Sequence, residues 1–139
     1  MTSQARSTVG VIAMLAAVTL LGTACGQGAS TAAADAGNGL TISFKTADEP
    51  AQGANKIEAI VKQDGKPVTD ATVAVTFRMP AMPSMNMPEM HSTTPLTHEG
   101  DGRYVGNGEL EMNGTWNVTV DVARSGAPVG SARFTVLAK

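Results

Sequence analysis

The sequence predicts an all-β fold, an immunoglobulin-like antiparallel β-sandwich of about seven strands. Apolar side chains recur with a period of two through most of the chain after residue 39, which is typical of strands with one buried face. Short turn-forming segments separate these stretches at intervals that are usual in antiparallel sandwiches. No helix of consequence is indicated after the first 24 residues.

The predicted strands follow one another along the chain, and apolar residues alternate with polar ones in each. The inward-facing residues are Leu40, Ile42 and Phe44; Ile57, Ala59 and Val61; Val73, Val75 and Phe77; Trp116, Val118, Val120 and Val122; and Phe134 and Val136. Turns are predicted at residues 63–67, 99–102 and 125–128, where Gly, Pro, Asp and Ser cluster. Trp116 and Tyr104 are expected in the core. Gly102-Arg103-Tyr104 also resembles a tyrosine corner, in which the phenol bonds back to the preceding loop.

Residues 1–24 are predicted to be a bacterial lipoprotein signal peptide. Arg6 precedes an apolar run over residues 9–21, which is too short to span a bilayer but has the length of a signal h-region. Residues 21–25, Leu-Gly-Thr-Ala-Cys, resemble a lipobox. We therefore expect lipidation of Cys25, the only cysteine of the chain, and two or more acyl chains would anchor the protein stably. The alternative is an ordinary secretory signal that leaves Cys25 as a free thiol.

The mature chain is expected to begin with a lipidated Cys25 and a flexible tether, together residues 25–38, because residues 26–38 contain no large apolar side chain. The folded domain is expected over residues 39–139. The predicted protein is an extracytoplasmic, membrane-anchored monomer at the cell surface or in the periplasm. Cleavage removes one of ten basic residues and none of the twelve acidic ones, which leaves a net charge of −3. Without a basic stripe, nucleic acid is not an expected partner.

One segment, residues 79–91, departs from the strand pattern. Pro80, Pro83 and Pro88 exclude a helix and a central strand, because proline lacks a backbone N–H and clashes with helical geometry. Five of the six methionines of the mature chain lie in this segment: Met79, Met82, Met85, Met87 and Met90. Two interpretations remain open, a loop of flexible methionines over an open end of the core and a set of metal ligands.

The spacing of these methionines bears on the metal hypothesis. The unit Met-Pro-x-Met occurs three times, at residues 79–82, 82–85 and 87–90. Proline at the second position favours a β-turn, which would bring the flanking Cα atoms within about 7 Å, so that both thioethers could reach one ion. In the alternative polyproline II form the methionines would stand roughly 9 Å apart, too far for easy chelation. A metal site therefore requires the turn form or closure from elsewhere in the fold.

The chemistry of the predicted ligands favours copper. Thioether sulfur is a soft, neutral ligand that selects Cu(I), and more nitrogen ligation would admit Cu(II). Zinc would require cysteines or several histidines, and hard cations would require an array of carboxylates. The proposed ligands are Met82, Met85, Met87, Met90 and His91, with Met79, Met112 and His98 as possible additional ligands. The other interpretation of His98 is an exposed polar residue, and that of Met112 is a part of the core.

Three ordered motifs carry a resemblance to a known family. Residues 73–80 (VAVTFRMP), 102–104 (GRY) and 110–118 (LEMNGTWNV) are similar to the YtkA-like family, which is related to the FixH-like group of small bacterial extracytoplasmic proteins. The resemblance covers residues 39–137. It implies a β-sandwich outside the cytoplasmic membrane, associated with copper handling or respiratory oxidase assembly. The chain departs from FixH-like members that carry a membrane-spanning helix, because its anchor would be lipid.

The expected function is that of a lipid-anchored protein that sequesters Cu(I) or delivers it to a copper-accepting or copper-exporting protein. The alternative is an adhesion or scaffold module that uses the Met-Pro loop as a hydrophobic contact patch. Enzymatic activity is not expected, because no Ser-His-Asp arrangement, phosphate-binding loop or paired-carboxylate motif is present.

Overall fold

The computed structural model describes residues 31–139. The predicted signal peptide, Cys25 and the first part of the predicted tether therefore lie outside the described residues. The strands are β1 (Thr31–Asp35), β2 (Leu40–Thr46), β3 (Gly53–Gln63), β4 (Lys66–Pro67), β5 (Ala71–Met79), β6 (Met90–Gly100), β7 (Arg103–Leu110), β8 (Gly114–Arg124) and β9 (Ala127–Ala138). One 3₁₀ turn, Pro83–Met85, lies between β5 and β6. No helix within residues 31–139 is long and apolar enough to cross a membrane.

The strands form two antiparallel layers that are joined through β6. One layer has the order β1-β2-β3-β7, and the other has the order β5-β8-β9. The first part of β6 pairs with β5, whereas its last residues, from Thr97 onward, pair with β7. The register of the β6–β7 pairing shifts between His98 and Gly100. The short β4 pairs with β3, and the edge strands β1 and β9 approach each other. The predicted antiparallel β-sandwich is confirmed, and it is nearly closed.

The core lies between the two layers and contains every residue that the alternation placed inward. Phe44 of β2 stacks on Phe134 of β9 with ring centroids 5.6 Å apart, and it meets Phe77 of β5 edge-on at 6.3 Å. These contacts join the two layers directly. Trp116 and Tyr104 are buried, as predicted.

The structure has more strands than the sequence analysis predicted. Thr31–Asp35 falls within the predicted tether but forms β1, which pairs with β2 from Thr31↔Lys45 to Asp35↔Thr41. An edge strand needs backbone partners more than large side chains, and the small Ala34 and Ala36 suffice to pack against the core. The fold therefore begins before residue 39. Strand β6 was also missed, because its half-buried positions include the polar Ser92 and Thr94.

The three predicted turns are present. In each, two successive residues have positive φ, namely Asp64 and Gly65, Asp101 and Gly102, and Ser125 and Gly126. This backbone matches the twist of the flanking strands in tight hairpins. At Gly102 a Cβ atom would stand 2.5 Å from the Val61 carbonyl oxygen, so this turn excludes larger residues on steric grounds as well.

The prediction that the Tyr104 phenol bonds back to the preceding loop, as in a tyrosine corner, is wrong, because its partners lie far upstream in the chain. The Tyr104 hydroxyl donates to the Val68 carbonyl at 2.8 Å and accepts from the Ala71 N–H at 3.3 Å. Val68 belongs to the connection between β4 and β5, 36 residues upstream, and Ala71 is the first residue of β5, 33 residues upstream. Neither belongs to the turn that directly precedes Tyr104. Burial raises the pKa of the phenol, which keeps it protonated as a donor. The bond fixes the start of β5, the strand that ends in the methionine segment.

A partly covered carboxylate joins three strands on the outer face of the first layer. Glu58 of β3 is 8% exposed, and its carboxylate lies 2.8 Å from the Lys45 ammonium and 2.5 Å from Arg103 Nε. Burial alone would raise the pKa of Glu58. The hydrogen bonds and charges of Lys45 and Arg103 outweigh this effect and hold the pKa below its ordinary value.

Removal of the Tyr104 hydroxyl should destabilise the fold. Tyr104→Phe keeps the ring but leaves the Val68 carbonyl without its buried donor, which should lower the free energy of unfolding by about 1–3 kcal/mol. Urea denaturation measures the change, with Thr135→Val on the exposed face of β9 as the control. An equal loss in both variants would contradict a specific role for the phenol.

Glu58 should make stability depend on pH. Glu58→Gln should lower the free energy of unfolding by about 1.5–3 kcal/mol at pH 7, because hydrogen bonds to charged partners are lost. A carboxylate with a lowered pKa stabilises the fold above its unfolded pKa of about 4.3, and this contribution disappears as the pH falls through the folded pKa. The difference from the parent protein should therefore shrink below about pH 4. Glu109→Gln, at an exposed site on β7, is the control, and a difference that stays constant from pH 7 to pH 3 would refute this account.

Candidate functional site

The methionine segment closes the hairpin between β5 and β6. Met79, the last residue of β5, is the register partner of Met90, the first residue of β6. Further out, Met82 and Met87 form an isolated bridge, with N–H···O bonds of 3.0 and 3.1 Å in the two directions. Directly opposed residues in an antiparallel pair have Cβ atoms about 5 Å apart. The hairpin therefore sets methionine opposite methionine twice.

The tip of the hairpin contains the turn that the spacing predicted. The Met85 N–H donates to the Met82 carbonyl at 3.0 Å, and the Asn86 N–H donates to the Pro83 carbonyl at 3.1 Å. Asn86 has a φ of 52° and returns the chain toward β6. The middle Met-Pro-x-Met unit thus closes as a turn. The other two units connect the bridge to the strand ends, and neither contains a turn-closing hydrogen bond in this described part of the chain.

Four methionines line one open depression of about 420 Å³ at this end of the sandwich. Three of them, Met79, Met82 and Met85, belong to the hairpin, and Met112 belongs to the connection between β7 and β8. Pro80, Asn113, Gly114 and Thr115 complete the lining. Met79 is 3% exposed and Met85 is 59% exposed, whereas Met82 and Met112 are half-buried. The four thioethers therefore lie at graded depths, from the core to the solvent.

The start of β8 holds Met112 and Met79 in place. The buried Trp116 donates its indole N–H to the Met112 carbonyl at 3.0 Å, which fixes the backbone of the β7–β8 connection. Gly114 has a φ of 136°, and a Cβ atom there would lie 3.0 Å from the Met79 methyl carbon. The Gly-x-Trp motif thus shapes the depression. From the sequence, only a core position was expected for Trp116, and the alternation gives no role to Gly114.

The remaining candidate ligands lie elsewhere. Met87 and Met90 are half-buried, and Met90 packs against the core, but neither lines the depression. His91 is exposed and is the register partner of Arg78. Since neighbours on a strand point to opposite faces, His91 does not share the face of Met90. His98 is exposed near the other end of β6, with its ring centroid 4.9 Å from that of Tyr104.

The structure therefore brings together two of the five proposed ligands, Met82 and Met85, with two of the three possible additional ones, Met79 and Met112. The sequence offered no signal for this grouping, because Met112 lies 22 or more residues from the hairpin methionines along the chain. Only the pairing of β5 with β8 brings the two segments together.

The electrostatic surroundings of the depression favour a soft ion. No carboxylate or imidazole lines it, and across residues 31–139 no group of three or more His, Cys, Asp or Glu side chains could hold a metal ion. The nearby Glu89 is engaged with Arg78 at 2.6 Å, and this hydrogen bond lowers the pKa of Glu89. The side-chain donors that line the depression are four thioethers, the Asn113 amide and the Thr115 hydroxyl, all of them neutral, and the thioethers are the ones that suit Cu(I).

Comparison with known proteins supports the family relationship. A protein-family model described as YtkA-like matches residues 34–121, which run from the end of β1 into β8 and include the hairpin, Met112 and Trp116. No significant match was found among curated proteins or among solved structures. Because the matched residues make up more than half of the chain, the protein belongs to the YtkA-like family.

Proposed function

We propose that this protein binds Cu(I) as a cargo in the methionine depression, and that it sequesters the ion or hands it on outside the cytoplasmic membrane. In this proposal a lipid on Cys25 anchors the protein, and the domain binds without catalysing a reaction. The observation that carries the proposal is the convergence of four methionines from two distant segments on one depression. The predicted signal peptide and lipobox support the location.

The donor set suits a monovalent soft ion. Thioethers are neutral and need not lose a proton to bind a metal, unlike cysteine or histidine. An apolar depression lined by Met79, Met82, Met85 and Met112 would hold a single positive charge at lower desolvation cost than a double one. Thioethers also do not form disulfides in an oxidising compartment, which is where secreted lipoproteins reside.

The graded exposure of the methionines suits transfer of the ion. Met79 is buried in the core, whereas the side chain of Met85 at the turn is more than half exposed. An incoming ligand from an acceptor protein could therefore replace Met85 first while the deeper thioethers still hold the ion. Stepwise exchange of this kind favours a delivery role over irreversible storage.

A second candidate function is a protein-contact patch. The segment from Met79 to Pro88 contains no charged residue, and Met85 is exposed at its tip. Flexible methionines are common at adaptable contact surfaces. This candidate requires no metal binding, so one titration separates the two functions.

Replacement of the methionines in the depression should weaken Cu(I) binding. The first variant combines Met82→Leu, Met85→Leu and Met112→Leu, which conserve side-chain volume. Its affinity should fall by about tenfold or more, which corresponds to about 1.4 kcal/mol or more. The matched variant combines Met87→Leu, Met90→Leu and His91→Gln and should bind nearly as well as the parent. Competition with a Cu(I)-specific chelator measures both affinities.

The outcomes of this titration discriminate between the hypotheses. A loss of Cu(I) affinity confined to the second variant would indicate that Met87, Met90 and His91 bind the ion. These three residues are among the ligands predicted from the sequence. Weak binding by the parent protein itself would favour the contact patch. Circular dichroism of both variants verifies that the sandwich is retained.

Bound metal should protect its ligands from oxidation. Without metal, hydrogen peroxide should convert Met85 to the sulfoxide much faster than Met79, because Met85 is 59% exposed and Met79 is 3% exposed. Ag(I), a redox-inert analogue of Cu(I), would occupy the sulfur lone pair and should slow oxidation of Met85 several-fold. Peptide fragmentation by mass spectrometry measures each site, with Met87 as the internal control. An unchanged rate at Met85 in the presence of Ag(I) would argue against its role as a ligand.

A further inference from the structure

The point at which the chain enters the fold constrains how an anchored domain can stand on a membrane. We call the end of the sandwich that carries the β5–β6 hairpin the methionine end, and the end that carries the turns at 64–65 and 125–126 the far end. Thr31 pairs with Lys45, which pairs with Glu58, a residue midway along β3. From Thr31 to Asp35 the chain runs toward the far end, so it arrives from the side of the methionine end.

The length of chain before Thr31 limits the possible orientations. Cys25 precedes Thr31 by six residues, which span at most about 22 Å even when fully extended. Gly53 is the end of β3 at the methionine end. The distance along β3 from Glu58 to Gly53 is five residues, or about 17 Å.

The link therefore reaches just past Gly53, whereas the β5–β6 hairpin continues outward beyond Met79 and Met90, so the hairpin tip touches the membrane only when the domain leans toward it. A chain that reverses before Thr31 uses at least two residues in the turn, and the remaining four span about 14 Å, which is short of the far end about 17 Å away at Gln63.

The exposed apolar side chains select among the orientations that remain. Among residues 31–139 the large hydrophobic side chains left exposed are Met85 and Leu137, at 59% and 55%. Both lie at the methionine end, because Leu137 pairs with Thr115, which lines the depression. Two ion pairs flank this surface, Arg78 with Glu89 and Lys139 with Glu49. Exposed apolar side chains at one end, flanked by paired charges, suit a lipid–water interface better than open water.

We infer that the methionine end rests on the membrane surface that holds the lipid of Cys25, with Met85 and Leu137 in contact with zwitterionic lipid. The inference depends on the anchor in the proposed function. The mature chain carries a net charge of −3, so attraction to anionic lipid does not drive the contact. Two apolar side chains bind weakly on their own, but a short tether gives them a millimolar effective concentration. The depression then opens toward the bilayer, where a membrane-embedded acceptor could take the ion.

The test measures how near each end lies to the membrane. The full-length lipoprotein, with acylation of Cys25 verified by mass spectrometry, is reconstituted in phosphatidylcholine vesicles. Ser84→Cys at the hairpin tip and Ser125→Cys at the far end are both exposed sites, and each carries a fluorophore. Because eleven residues of strand separate the ends by about 35 Å, lipids with a headgroup nitroxide should quench position 84 several-fold more than position 125. Equal or reversed quenching overturns the inference.

Two further arms identify the occupant. Adding Met85→Ser and Leu137→Ser to the Ser84→Cys protein should reduce quenching at position 84 at least twofold, and unchanged quenching overturns the lipid contact. Shielding of position 84 in native membranes but not in phosphatidylcholine vesicles would make the occupant a membrane protein and overturn contact with lipid. Copper is absent throughout, so these results do not depend on metal binding. A chain without acyl groups would overturn the anchor and this inference together.

Discussion

The end of the β5–β6 hairpin is the constraint on which the candidate site depends. Pro80 and Pro88 stand on opposite sides of this hairpin and have no N–H, so the ladder cannot continue outward from Met79 and Met90 in the ordinary way. The Met82–Met87 bridge restores backbone bonding beyond the prolines, and the turn at residues 82–85 closes the chain. With backbone groups satisfied in this way, the methionine side chains are free to line the depression instead of filling a regular sheet.

The fold was predictable where one strand face is apolar and the other polar. That alternation identified β2, β3, β5, β8 and β9, and the Asp-Gly and Ser-Gly pairs identified their turns. It failed for β1, whose small alanines give no hydrophobic signal, and for β6, where serine and threonine occupy half-buried positions. Both strands are held mainly by backbone hydrogen bonds to their neighbours, and hydrophobic periodicity does not report backbone pairing.

The candidate site was only half predictable for a related reason. Local spacing identified the turn from Met82 to Met85, because proline at the second position acts within four residues. Spacing could not show that Met79 and Met82 would line the depression while Met90 and Met87, which pair with them across the hairpin, would not. It also could not show that Met112 would join from another connection. These outcomes depend on the pairing of β5 with β6 and β8, which is a tertiary property. His91 was proposed because it adjoins Met90, yet adjacency on a strand places side chains on opposite faces.

Two carboxylates of the sandwich are engaged with cations outside the depression. Glu58 is held between Lys45 and Arg103 on the outer face of the first layer, and Glu89 is held by Arg78. A carboxylate that is already paired with a cation has less to gain from binding a hard metal ion. In the proposed function, a preference for a soft ion would follow from the thioether donors of the depression.

Met85 connects the two proposals made for this protein, and the connection has a thermodynamic consequence. Its thioether is one of the four that line the depression, and its exposed surface is half of the proposed lipid contact. If an ion draws this side chain inward, less of it remains to touch lipid. Linkage requires the reverse effect to be equal, so contact with the membrane would weaken retention of the ion by the same factor. A domain resting on the bilayer would then release its cargo more readily there than in open solution, which is where a delivery protein needs to release it.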